Sequence, residues 1–243
     1  MTRAHLLHLI KRRLGIESLR DEQGITLTEV VIVTAILAIV MTFVTSGFVS
    51  MQSAATTDDI KLQNLDEART LMDNMTKDIR TATLLPVPSA VSPFTKADVN
   101  SMQFYANLMT TGSPNRVDLY VDYSNPNSPR LFEKLTPPTP NSNPPNWSPG
   151  GTPFTRYVGQ FVVNGTSSKY PTPLFQYFDS SGVLISPPVG QTALDPSQFA
   201  KIYSVLVTLS VRKSTQRSIP ASTLVNQVTL PNIYYSTDVS PTP

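Results

Sequence analysis

Residues 30–49 (VVIVTAILAIVMTFVTSGFV) run for 20 positions without a charge or a proline. Coiled as a helix, the run is about 30 Å long, the thickness of a bilayer core. Many of its residues are β-branched, a mediocre choice for a helix in water. In lipid a helix must form, because the backbone groups have no other partner. The run shows no polar face, which argues against a core helix of a soluble domain. We therefore expect a membrane-embedded segment, and its position constrains everything else in the chain.

What precedes the run is polar. Residues 1–24 hold five basic side chains (Arg3, Lys11, Arg12, Arg13, Arg20) and three acidic ones (Glu17, Asp21, Glu22). By the positive-inside rule they stay on the cytoplasmic side, and the chain beyond residue 49 lies outside the cytoplasm. The small residues Thr45, Ser46 and Gly47 could form a conventional signal-peptide cleavage site. The run begins too far into the chain for that to be the simpler reading.

Polarity changes abruptly at Gly24-Ile25-Thr26-Leu27-Thr28-Glu29, and Glu29 is the one charge in residues 25–49. This segment, followed by the apolar run, resembles the N-terminal signature of type IV prepilins and pseudopilins. The resemblance implies cleavage between Gly24 and Ile25 by the prepilin peptidase and methylation of Ile25. It also places Glu29 fifth in the mature chain, where it serves assembly. Ile25 stands where Phe or Met is usual, and Thr28 where Ile or Val is commoner. A carboxylate in lipid costs about 2.5–3.5 kcal/mol, so Glu29 needs compensation. The freed amine of Ile25, four residues away on the same helical face, supplies a positive charge, and the helix N-terminus adds to it. In a filament the resemblance implies the amine of a neighbouring subunit instead. A first-turn acid at the lipid–water boundary is the plainer alternative.

All 22 prolines lie at or after Pro86, so the first third of the chain is free to be helical. Leu65, Ala68, Met72, Met75, Ile79 and Ala82 recur at spacings of three and four, one face of a helix. Asp66, Glu67, Arg69, Asp73, Lys77, Asp78 and Arg80 fill the positions between. One helix from Ile25 to about Leu85 follows, stopped before Pro86; residues 54–59 are either its continuation or a flexible join. Its second half needs a partner surface, which the later strands supply; a coiled-coil dimer is the rival use of the stripe.

Beyond residue 85 the pattern is that of strands. Residues 101–108 and 117–123 alternate and flank a loop at 111–115, as in a hairpin. Further strand candidates are 130–135, 157–163, 174–178, 183–185, 202–211 and 224–230. Tyr203, Val205, Val207, Leu209 and Val211 form the clearest half-buried strand, and residues 178–183 read as a turn. Residues 136–153 hold seven prolines and read as a solvated loop with polyproline character. The expected fold is α+β: a long N-terminal helix packed on an antiparallel β-sheet, pilin-like. Its parts are a leader (1–24), a transmembrane half-helix (25–49), an amphipathic half-helix (50–85) and an extracytoplasmic β-rich domain (86–243).

The residue inventory narrows the chemistry. There is no cysteine, and the only histidines are His5 and His8. Once a leader is removed, neither thiolate nor imidazole chemistry remains. No catalytic constellation, cofactor loop or metal-spaced set is present, so no enzyme and no cofactor is expected. Residues 25–243 carry 14 charges of each sign, which gives no footprint for nucleic acid. Asp73, Asp78 and Glu67 are read as solvated ion-pair partners. Asp122-Tyr123-Ser124-Asn125 and Asp179 could bind calcium, but turn chemistry explains them better. Asn164-Gly165-Thr166 is formally a glycosylation sequon. Trp147 is either a partner contact or a cap on the core.

Residues 74–82, 177–182 and 228–232 resemble J-type minor pseudopilins and related minor pilins. The expected function is a structural, minor subunit of a type IV pilus or a secretion pseudopilus. Its partners would be other pilin or pseudopilin subunits, the prepilin peptidase and membrane lipid. The alternative is an uncleaved, single-pass, membrane-anchored receptor or adhesin.

Overall fold

The computed structural model describes residues 24–85, 90–108, 114–140, 148, 150–168, 170–213 and 219–231. The expected leader, apart from Gly24, lies outside them, as do Trp147, most of the loop expected at 111–115 and much of the proline-rich segment. The chain divides into two units, Met1–Ala55 and Thr56–Pro243.

Helix α1 (Leu27–Arg80) is continuous through residues 54–59. In the second unit its stripe does what the spacing predicts. Ala68, Met72, Met75 and Ile79 are buried, whereas Leu65 is only half-buried. The buried stripe is wider than expected and includes Asn64, Leu71, Thr76 and Asp78.

The helix ends five residues before the expected Leu85. Thr81 N and Ala82 N make tightened last-turn bonds to Asp78 O and Ile79 O, both 3.1 Å. Ala82 then bridges Ala106, and Thr83 N donates to Tyr105 O at 2.8 Å. Strand pairing thus captures the chain before the proline would have stopped it.

Sheet 1 is an antiparallel meander in chain order, β1 (Phe94–Ala97), β2 (Ser101–Ala106), β3 (Asn115–Asp122), β4 (Arg130–Thr136) and β5 (Phe154–Gln160). The expected hairpin is β2–β3, paired from Ser101↔Tyr120 to Ala106↔Asn115. Strand β1 was not foreseen: its four residues, with a register shift, are too short and irregular to show a period. The inner face carries Val117, Leu119 and Val121 opposite Leu135, Glu133 and Leu131. On the outer face Tyr120 stacks on Phe132 (5.8 Å), and Phe132 meets Tyr157 edge-on (5.9 Å).

Sheet 2 has the order β7-β6-β8-β9, with β6 (Phe175–Phe178), β7 (Leu184–Ile185), β8 (Ser204–Val211) and β9 (Ser222–Thr229). Two sheets therefore stand where the sequence reading expects one. β6 and β7 are joined by the predicted turn. There Asp179 Oδ1 accepts from Ser181 N and Val183 N, both 2.9 Å, and Gly182 supplies the φ of +76°. The sheets are stitched by main-chain bonds, among them Val163 N to Ser210 O (2.8 Å) and Leu174 N to Val99 O (2.9 Å). Phe161, at φ 65°, turns the chain out of β5 toward that seam.

The second half of α1 seats on β5 at Gly159. A Cβ there would collide with Leu71 Cδ2, so any larger residue forces Leu71 or the helix to shift. Near the other end of the stripe, Asn64 Oδ1 accepts from Lys213 N at 2.8 Å, just past β8. One core cluster unites helix residues such as Leu71 and Met75 with Phe104 and Leu131 of sheet 1 and Phe175, Val207 and Leu209 of sheet 2. This is the expected α+β, pilin-like architecture.

Candidate functional site

Gly24, Ile25 and Thr26 are non-helical, and α1 starts at Leu27. Thr26 is its N-cap. Its carbonyl accepts from Val30 N at 3.2 Å, and its Oγ1 accepts from Glu29 N at 3.3 Å. Thr-x-x-Glu is the spacing of a capping box. The sequence reading of Glu29 covers both an acid in lipid and a first-turn acid; it leaves out Thr26 as the cap, which this spacing reveals. The predicted residues Gly24, Ile25 and Glu29 thus lie at one helix start, the first two before the cap and Glu29 in the first turn.

Every residue from 24 to 56 is exposed, including Phe43 at 75% and Phe48 at 67%. Apolar surface in water costs about 25 cal/mol per Å², so such a helix belongs in a non-aqueous surrounding. Its hydroxyls do not oppose that. Thr34 Oγ1 donates to Val30 O and Thr42 Oγ1 to Ala38 O, so each is satisfied within the helix.

The remaining candidates lie in the second unit. Asn164 is fully buried; its Nδ2 donates to Thr208 O (2.5 Å) and Thr172 O (3.3 Å), and its Oδ1 accepts from Ser210 N (2.8 Å). That amide ties the segment after β5 to β8, so the sequon is a structural device and offers no glycan acceptor. Asp122 Oδ1 accepts from Ser124 N and Oγ, and these bonds hold its carboxyl below the usual range. With the Asp179 turn, this is the expected turn chemistry. Among the described residues no three His, Asp or Glu side chains gather as a metal set.

Asp78 departs from its expected solvated role. Asp73 is exposed and Glu67 half-buried, but Asp78 is buried on the last turn of α1. Its Oδ2 is 3.5 Å from Arg156 Nη2, and the same guanidinium pairs with Glu133. Burial, then repulsion from Glu133, pushes the Asp78 carboxyl up to about 7, against the pull of Arg156 and Lys77.

An exposed apolar helix leading into an α+β body is the architecture of a pilin-like protein. The prokaryotic N-terminal methylation motif matches residues 19–45, which include Gly24, the Thr26 cap and the first turns of α1. Motif and apolar helix together support a chain processed by prepilin peptidase and anchored by a transmembrane helix. No curated protein and no solved structure matches the chain.

Proposed function

We propose that this protein is a minor structural subunit of a type IV pilus or a related secretion pseudopilus. The observation that carries the reading is the methylation motif at residues 19–45, which takes in the start of a helix exposed at every position to residue 56. Such a helix needs lipid before assembly and the helices of neighbouring subunits afterwards.

In this reading the prepilin peptidase cuts between Gly24 and Ile25 on the cytoplasmic side and methylates Ile25. The globular unit lies on the opposite side of the membrane. The new amine lies four residues before Glu29, ahead of the helix cap rather than on the helix. In the filament Glu29 pairs with the amine of a neighbouring subunit, offsetting the cost of about 2.5–3.5 kcal/mol for an acid held in an apolar surrounding. The likeness of residues 74–82, 177–182 and 228–232 to J-type minor pseudopilins supports the minor role.

Mass spectrometry of the native N-terminus tests the reading, with methylated Ile25 expected. A mature chain that keeps residues 1–24 would overturn it in favour of an uncleaved, membrane-anchored receptor or adhesin.

A further inference from the structure

Three charged side chains are brought together where α1 meets sheet 1. Glu133 sits on the inner face of β4, 1% exposed, between Leu131 and Leu135. Arg156 of β5 is its register partner, with Nε 2.7 Å from Glu133 Oε2 and Nη2 on the same oxygen. From the helix, Asp78 approaches Nη2 at 3.5 Å, with its side chain 8% exposed. Its Oδ2 receives no hydrogen bond. The charged groups acting on Asp78 are therefore Glu133 from β4, Arg156 from β5 and Lys77 from its own helix.

Two carboxylates share one guanidinium, which is already committed to Glu133 by two contacts. With both acids ionised, the cluster carries a net negative charge on two buried carboxylates, 8% and 1% exposed, beside a guanidinium side chain that is 47% exposed. Burying an uncompensated charge is far costlier than burying a neutral carboxyl. We propose that Asp78, Glu133 and Arg156 form a proton-operated latch between α1 and sheet 1, tight when Asp78 carries a proton and loosened when it is ionised.

The proton comes from solvent and adds to one Asp78 oxygen. It leaves Arg156 wholly to Glu133 and brings the cluster to neutrality. The direction follows from linkage. The folded carboxyl titrates near 7 and the unfolded one near its ordinary value of 3.8. Between these values the folded chain holds one more proton, so its stability falls as pH rises and levels off above about 7. Mild acid outside the cytoplasm would tighten the seat of the helix on the sheet.

The test is denaturant unfolding of the full chain in detergent micelles between pH 5 and 8.5, comparing wild type with Asp78→Asn. Relative to the variant, the wild-type folding constant should drop by up to tenfold per pH unit between 5 and 7 and then stay flat. Asp73→Asn, an exposed change on the same helix, should keep the wild-type slope. Equal slopes in wild type and Asp78→Asn overturn the proposal. Carboxyl-carbon NMR of wild-type aspartates reads the same proton and needs no variant. An Asp78 signal that titrates near 7 supports the latch, and one that titrates below pH 5 overturns it.

Discussion

Replacing Gly159 by alanine should unseat the helix from β5, and the size of the effect follows from the local geometry. The new Cβ would collide with Leu71 Cδ2 and fall 3.0 Å from Leu71 Cδ1 and 2.9 Å from Glu67 Oε1. Carbon atoms in good contact sit about 3.5–4.0 Å apart, so Leu71 or the helix must move by over an ångström. Leu71 is fully buried within the core cluster, so a shift brings it against packed neighbours. Overpacking of this kind costs about 1–3 kcal/mol. Leu71→Ala alone should cost about 2–5 kcal/mol through lost burial and the cavity left behind. Combined, the two changes should partly cancel, because the alanine methyl at 159 occupies space that the Leu71 methyls vacate. Denaturant unfolding of the full chain in detergent, followed by tyrosine near-ultraviolet circular dichroism, gives the four stabilities of the cycle. The double variant should be more stable than the sum of the two losses predicts, by at least about 1 kcal/mol. Additivity within about 0.5 kcal/mol would show that Gly159 and Leu71 do not meet, and the account of the helix seat would fail.

Three further outcomes are expected. Asn164→Ala strands the Ser210 main-chain N–H and the Thr208 carbonyl, so it should cost about 2 kcal/mol or more in the same unfolding assay; peptide mapping of the native protein by mass spectrometry should show no sugar at that position. Tyr177→Phe removes the buried hydroxyl that donates to Asp98 O at 2.9 Å and should cost about 1–2 kcal/mol, measured as a lowered denaturation midpoint at unchanged slope. Glu29→Val should leave membrane insertion intact, read by fractionation, but impair entry into filaments, read by recovery in sheared surface fractions; normal filament entry would remove Glu29 from the assembly account.

The local signals in this chain were legible because each depends on residues near one another in sequence. The uncharged run at residues 30–49 marks the long apolar helix and the Gly24–Glu29 spacing the methylation motif, without reference to any fold. The three-four spacing from Leu65 to Ile79 marks the buried face of α1, and the alternation from Tyr203 to Val211 marks β8. Tertiary structure decided what depends on distant partners. Ala82 leaves the helix because Ala106 is there to pair with it. The strands divide into two sheets because β6 pairs with β8 rather than with sheet 1. Asn164 is a main-chain tie because β8 passes beside it. Asp78 resembles its neighbours in a helix rich in charge, yet among the described residues it is the helix acid that is buried against Glu133 and Arg156. Periodicity reports which face of an element is apolar. What lies opposite a polar side chain on that face is set by chain contacts tens of residues away, and those alone turn a surface acid into a buried one.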